Sequence, residues 1–392
     1  MIDLEIKNKI DCMGCHGCAN ICPQNCIEML KDLEGFWYPK VNYTQCIKCR
    51  KCIEVCPIIN KTRVVNNPTA YACLNTDEET RMDSSSGGIF SLIAEQVLAE
   101  NGIVFGVEFD DQFNVIHGET ENKNELDKFR GSKYVQSEIS FTYRKVKDYL
   151  VQDRTVLFTG TPCQVSGLCS YLKRPYDNLL CLDNICHGVP SPKVWQKYLA
   201  YRERIANSIT QRVNFREKAS GWKKYSVNFL FENKMEYKKH LREDLYMQAF
   251  LKDICLRPSC HECEFKSLHR ESDITLGDFW GIQNILPEMD DDKGTSLIFI
   301  NSKKGRTIFN LIKPNLLYKE VDINQAVTFN SAAIKSVKCH PQREQFFADL
   351  DILEFDELTK KYCRTKLYKR FKNKIISIGK KLLKRKNNLN IF

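Results

Sequence analysis

No apolar run in this sequence approaches the ~18 residues that a membrane-spanning helix needs. Its first residues, Met1-Ile2-Asp3-Leu4-Glu5, lack the basic-then-apolar pattern of a secretory signal. The chain is therefore expected in the cytoplasm. No Walker loop and no G-x-G-x-x-G follows any apolar segment, which leaves phosphoryl transfer and a Rossmann nucleotide site without support. Acidic residues are missing between 358 and 392, where thirteen Lys or Arg collect; these exceed the whole net charge of +10, so the rest of the chain is mildly acidic. A basic tail on such a body argues for local docking and against a nucleic-acid-binding protein.

Cysteine, by contrast, is abundant, with nineteen in 392 residues and nine of them between Cys12 and Cys56. Disulfides are rare in a reducing compartment, so metal ligation is the better reading. Two repeats stand out: Cys12-x2-Cys15-x2-Cys18-x3-Cys22-Pro23 and Cys46-x2-Cys49-x2-Cys52-x3-Cys56-Pro57. This is the bacterial two-cluster 4Fe-4S pattern, in which the fourth Cys of each run ligates the other cluster. Cys12, Cys15, Cys18 and Cys56 are expected to hold one cluster, and Cys46, Cys49, Cys52 and Cys22 the other. Two full quartets overfill a tetrahedral zinc site. Cys26 reads as a small buried hydrophobe and His16 as a solvent-facing loop residue. Residues 35–41, Gly-Phe-Trp-Tyr-Pro-Lys-Val, read as a strand whose aromatics shield a cluster from water.

Linker composition at 61–68 sets a boundary, giving a ferredoxin-type domain at 1–65. Beyond it strands alternate with helices: 103–109 and 155–158 read as strands, 89–100 and 192–204 as helices. The fold class expected is α+β: a small ferredoxin-like domain, an α/β domain over 66–355 and a basic helical tail over 356–392. In the tail Leu367, Phe371, Ile375, Ile378 and Leu382 recur at helical spacing among Lys and Arg. Such a helix suits anionic lipid, an acidic redox partner or the chain's own body.

Three strand-to-helix junctions carry chemistry. Ser84-Ser85-Ser86-Gly87-Gly88 suits either a phosphate at a helix N-terminus or a plain serine cap. In Gly160-Thr161-Pro162-Cys163-Gln164, Thr161 is a natural N-cap and Pro162 a natural first residue. That puts Cys163 in the first turn, where the helix dipole favours a thiolate. Cys186-His187-Gly188-Val189-Pro190 follows the apolar run 179–185, and Cys260-x2-Cys263 lies further on. From spacing alone Cys163, Cys186, Cys260 and Cys263 suit a third cluster or a zinc site, and Cys163 a reactive thiol. Asp278 and Trp280 read as candidates to line a cofactor pocket, or as a turn with a buried Trp.

Taken in order, Ser-Ser-Gly-Gly at 85–88, Gly-Thr-Pro-Cys-Gln at 160–164, Cys-His-Gly-Val-Pro-Ser-Pro at 186–192, Arg-Pro-Ser-Cys-x2-Cys at 257–263 and Ser-Asp-Ile-Thr-Leu-Gly-Asp-Phe-Trp-Gly at 272–281 resemble the coenzyme F420 hydrogenase/dehydrogenase beta-subunit family. The resemblance implies an FAD-dependent iron–sulfur oxidoreductase with a third 4Fe-4S cluster. Its substrate would be coenzyme F420 or another small organic molecule, with electrons exchanged through an external carrier or redox enzyme. By position it implies flavin contacts at Ser86, Gly87, Gly88, Lys133, Tyr134, Ser137, Gly160 and Thr161, and a hydrogen bond from His187 to the cluster. The alternatives are a non-catalytic iron–sulfur relay subunit and a zinc-binding interaction protein. Through its tail the chain would touch the inner face of an anionic membrane peripherally.

Overall fold

A computed structural model describes residues 1–61 and 64–364. The N-terminal unit is a hairpin of strands Ile27–Lys31 and Trp37–Val41, with Met29 opposite Pro39, flanked by the two cysteine loops. Each loop ends in a short helix, Gly17–Ile21 or Lys51–Glu54. The sequence repeat is also a backbone repeat. Gly14 and Lys48 stand at φ 66° and 55°, and His16 and Arg50 at φ 61° and 62°. Left-handed residues at matched places curl each loop in the same way, the backbone form from which anion-binding nests are built.

The large unit is an eight-stranded mixed sheet. Its strands lie in the order Leu316–Val321, Thr69–Asn75, Ser296–Ile300, Ile274–Asp278, Leu179–Asn184, Val156–Gly160, Ile103–Phe109 and Val115–Thr120. The four strands from Ile274–Asp278 to Ile103–Phe109 are parallel, with antiparallel neighbours outside them. Their apolar runs are buried on both faces, as a parallel sheet requires. Helices Ile89–Ala99 and Lys303–Ile312 cover one face, burying Ile89, Ile93, Val97, Ile308 and Phe309. At ~1.5–3 kcal/mol for each such side chain, this burial contributes strongly to holding the layer.

Helices Thr142–Val151 and Pro162–Leu172 cover the other face, and the N-terminal unit joins their core through Cys18, Ala19 and Ile53. Arg144 donates to the carbonyls of Asn20, Ala19 and Cys22 at 2.8, 3.1 and 3.2 Å, closing the end of the Gly17–Ile21 helix. A second core surrounds Trp195, Tyr198 and Tyr246, between helices Pro192–Ala206, Leu245–Leu251 and Phe355–Tyr362 and a three-stranded sheet over 210–240. Residues 356–362, expected in the tail, therefore sit in this body, with Leu358 and Tyr362 buried. The periodic positions from Leu367 to Leu382 lie outside the described residues. Among the described residues, no helix is long and apolar enough to cross a membrane.

The N-terminal unit is also tied to the C-terminal elements. Arg343 grips the Glu34 carboxylate with two bonds of 2.8 and 2.6 Å and donates to the Leu256 carbonyl at 3.0 Å. Both partners are mostly buried. Removing the cation strands the carboxylate, so Arg343→Met is expected to cost about 3 kcal/mol and to lower the thermal midpoint in calorimetry. Glu34→Gln with Arg343→Met should recover part of that loss.

Candidate iron–sulfur centres

Cys12, Cys15, Cys18 and Cys56 line one cavity of the N-terminal unit, and Cys22, Cys46, Cys49 and Cys52 line another. Each loop thus contributes three sulfurs to its own cavity and one to its neighbour's, the crossed pairing that the spacing suggests. Burial pushes the Cys15 thiol up to about 12, and raises those of Cys18, Cys52 and Cys56. Neighbouring sulfurs raise them further. Four such thiols give up their protons to a metal, so loading and proton release are coupled. The left-handed loops and the crossed quartets both fit a 4Fe-4S cubane.

Cys26 is buried with its Sγ 3.4 Å from that of Cys22, a packing partner in the second cavity. His16 departs from expectation. Its ring is buried edge-on to Trp37 at 5.9 Å, and burial lowers its pKa to about 3. The left-handed backbone at this position turns the side chain inward, which sequence spacing does not reveal.

The third set of cysteines is assembled by the large sheet. Thr161 caps the helix Pro162–Leu172 in a box with Gln164, placing Cys163 in its first turn. Cys186 follows the end of the adjacent strand Leu179–Asn184, and Cys260 and Cys263 lie on the single turn Pro258–Glu262 and just after it. All four line one cavity, together with the basic side chains Arg257, Lys266 and Arg270. Four thiols in one cavity rimmed by cations give the ligand count and the charge that suit an anionic 4Fe-4S cluster; the ligand count alone also matches a zinc site.

The thiolate expected at Cys163 from the helix dipole is opposed by burial. Burial raises that thiol well above its ordinary value and outweighs the nearby Thr161 hydroxyl, 3.1 Å from the sulfur. Burial likewise raises Cys186, and pushes Cys260 to about 12. The Val189 N–H donates to the Cys260 sulfur at 3.4 Å. His187 lines the same cavity, and its Nε2 lies 2.6 Å from Asp253.

The residues singled out for a flavin fall into three places. Ser86, Gly87 and Gly88 are used internally: Ser86 Oγ donates to the Thr295 carbonyl at 3.0 Å and Gly87 N–H to Ser296 Oγ at 2.9 Å. A Cβ on Gly87 would meet the Cys73 carbonyl and the Ser296 backbone, so its missing side chain lets the turn pack closely on those two strands. Gly88, at φ 80°, is itself the N-cap in place of a serine. Ser137 accepts from the Gln164 amide at 2.9 Å, while Thr161, next to Gly160, lines the third cysteine cavity. Lys133 and Tyr134 stand on the loop that meets Ser85 through the Ser132 N–H at 2.7 Å.

Sequence reasoning missed the charges beside that turn. Arg216 pairs with Asp278 at 2.8 and 3.2 Å, and donates to the Tyr134 hydroxyl and the Ser85 carbonyl, both at 3.0 Å. Its Nε, also buried, has no hydrogen-bond partner among the described residues. Lys218 is held by the carbonyls of Arg81, Ser86 and Lys293 at 2.6, 3.0 and 2.8 Å, and burial lowers its pKa to about 7. The ammonium of Lys133 donates to the carbonyls of Lys128, Arg130 and Gly131, lies over the Phe109 ring, and has its pKa lowered to about 7 by the same cause. Trp280 stacks on Trp222 at 4.7 Å. No local motif marks Arg216 or Lys218, because both belong to a segment remote in sequence from the turn they meet.

The crossed grouping gives a direct test. Cys22→Ser and Cys49→Ser, singly or together, are expected to lose one cluster's worth of iron, about four atoms. Cys18→Ser with Cys22→Ser should lose two clusters' worth by iron assay.

Residues 153–326 match the family model for the C-terminal part of the coenzyme F420 hydrogenase/dehydrogenase beta subunit, and residues 11–59 match the 4Fe-4S dicluster domain. The chain is 37% identical over 65 residues to NADH-quinone oxidoreductase subunit I of Pelobacter propionicus, covering 14% of this chain and 35% of that protein. It is also 37% identical over 57 residues to an uncharacterized polyferredoxin-like protein of Methanocaldococcus jannaschii, covering 12% and 34%. The chain thus spans about a third of the length of these curated relatives. A chain of the xenon-derivatized F420-reducing NiFe hydrogenase complex from Methanosarcina barkeri is similar at TM-score 0.45 and 17% identity, covering 76% of this chain and 92% of that one. The chain is thus an iron–sulfur electron-transfer protein, with a 4Fe-4S dicluster match at 11–59, that is related over residues 153–326 to the C-terminal part of the coenzyme F420 hydrogenase/dehydrogenase beta subunit.

Proposed function

We propose that this chain is an oxidoreductase subunit that moves electrons between an external one-electron carrier and a two-electron centre at the carboxyl edge of the large sheet. The observation that supports this best is the order of the cysteine groups. Cys49 is exposed, the Cys12 group lies further in, and Met13 lines both the Cys12 cavity and the Cys163 cavity. Three adjoining cysteine groups make a continuous route from surface to sheet edge. When bound, 4Fe-4S clusters supply one-electron steps along such a route.

Exposed Lys48, Arg50 and Lys51 surround Cys49, so the carrier that docks there is an acidic protein. At the other end, a flavin is the group that exchanges electrons in pairs with a small organic substrate and singly with clusters. Buried cations with few carboxylate partners fit its anionic phosphates. Arg216 and Lys218 beside the Ser85–Ser86 carbonyls, with Lys133 and Tyr134 on the facing loop, are the residues that would hold it. Coenzyme F420 or another small organic molecule is the substrate class. The internal use of the Gly87 N–H and the close packing of Gly87 favour a second reading, in which the chain relays electrons to a partner enzyme and binds no flavin of its own.

Anaerobic purification with metal, sulfide and flavin assays separates these readings. The first expects about twelve iron and twelve labile sulfide, with FAD released on denaturation. A full iron complement without flavin after reconstitution would leave the relay reading; zinc without sulfide would sink both. Cys163→Ser is expected to lose about four irons while the remaining clusters stay reducible by dithionite.

A further inference from the structure

We propose that Arg257 is a positioning cation shared by the inner ferredoxin-type centre and the third cysteine site, and that it sets the potentials of both. The proposal rests on the iron–sulfur reading of the Cys12 and Cys163 groups. Arg257 is fully buried, at 0% exposure. It lies three residues before Cys260, yet reaches out of its own domain. Its Nε donates to the Cys12 carbonyl at 2.9 Å and its Nη2 to the Trp37 carbonyl at 2.9 Å. The Nη1 donates to Gln136 Oε1 at 3.1 Å, and Gln136 in turn donates to the Met13 carbonyl at 3.2 Å. Thus three of its five N–H groups have protein acceptors, and all three are neutral.

The absence of a carboxylate among these acceptors is the telling point. Among the described residues, buried Arg81, Arg216, Arg270 and Arg343 pair with Asp291, Asp278, Asp183 and Glu34, while buried Arg202 lies over the rings of Tyr198, Tyr201 and Tyr237, away from any cysteine group. Arg257 has no carboxylate partner among them and stacks instead beside Tyr38 and Phe36, 4.4 and 5.5 Å from their ring centres. A buried charge without a counter-charge is strongly unfavourable. The anionic groups that its position supplies are the sulfur centres on either side. Its positive charge acts on Cys15 in one group and on Cys260 in the other, and it lines the cavity of the second. Gly14 completes the fit, since a Cβ there would lie 2.9 Å from Arg257 Nη1.

A cation held between two centres stabilises the added electron on each and so raises both potentials. It would also favour residence of an electron at the junction of the two domains. The test is potentiometric titration, followed by electron paramagnetic resonance, of the full-length reconstituted protein with Arg257→Gln, Arg257→Lys and Gln136→Glu. Arg257→Gln should shift the Cys12-group centre and the Cys163-group centre to lower potential, leaving the exposed Cys49-group centre unchanged. Arg257→Lys should restore most of the shift. Gln136→Glu keeps the guanidinium in place but sets a carboxylate beside it, and should shift the same two centres downward even if Arg257→Gln proves unstable. Unchanged potentials in both Arg257→Gln and Gln136→Glu would overturn the proposal. The same downward shift at the inner centre in a Cys163→Ser background supports it even where the third site holds no cluster, which keeps the two readings separable; no shift there would overturn it.

Discussion

Buried sulfur is the constraint on which the rest of this structure depends. Thiols resist ionisation in a low-dielectric interior, and each neighbouring thiolate makes the next harder to form. Cys15, Cys18, Cys163 and Cys260 all show this, with burial the largest cause in each case. A chain that gathers such groups must bring positive potential to them. Here it comes from the nest-forming left-handed backbone at Gly14, His16, Lys48 and Arg50 and from a helix N-terminus at Cys163. It also comes from cations at the rim of the third cavity.

The same need explains how the two units are joined. The ferredoxin-type domain is not tethered by its linker alone. It shares a core with helices Thr142–Val151 and Pro162–Leu172, receives Arg144 on its carbonyls and is gripped at Glu34 by Arg343. This docking sets the cysteine groups beside one another, with Met13 lining both the Cys12 and the Cys163 cavities. The large sheet does complementary work. Its parallel strands end together at the edge where Cys163 and Cys186 emerge, the usual position of ligand sites in open α/β sheets.

Much of the first sixty residues was legible because its information is local. Repeated Cys-x2-Cys-x2-Cys-x3-Cys-Pro spacing implies loop shape, ligand count and crossed pairing with no long-range knowledge. The strand and helix expectations near 103–109, 89–100 and 192–204 were close to the observed elements for the same reason, since hydrophobic period and caps are nearest-neighbour properties. His16 escaped this reasoning because its exposure depends on one backbone angle and on Trp37 twenty-one residues away. The packing of Gly87 escaped because a missing Cβ serves a ligand and a packed strand equally well, and its close approach to the Cys73 carbonyl and the Ser296 backbone is a property of the tertiary fold.

By itself, then, the sequence determined the identity and spacing of the cysteines, the repeated loops and the alternation of strand and helix. Each of these is set by residues within a few positions of one another. Tertiary structure alone decided that Cys163, Cys186, Cys260 and Cys263 line one cavity, and that Arg216 meets Asp278 across sixty-two positions. It also decided that Arg257 reaches the Cys12 carbonyl across 245. Those encounters arise from the order of strands in a sheet and the docking of one domain on another. Both follow from the summed burial of many apolar side chains, and no local pattern encodes them.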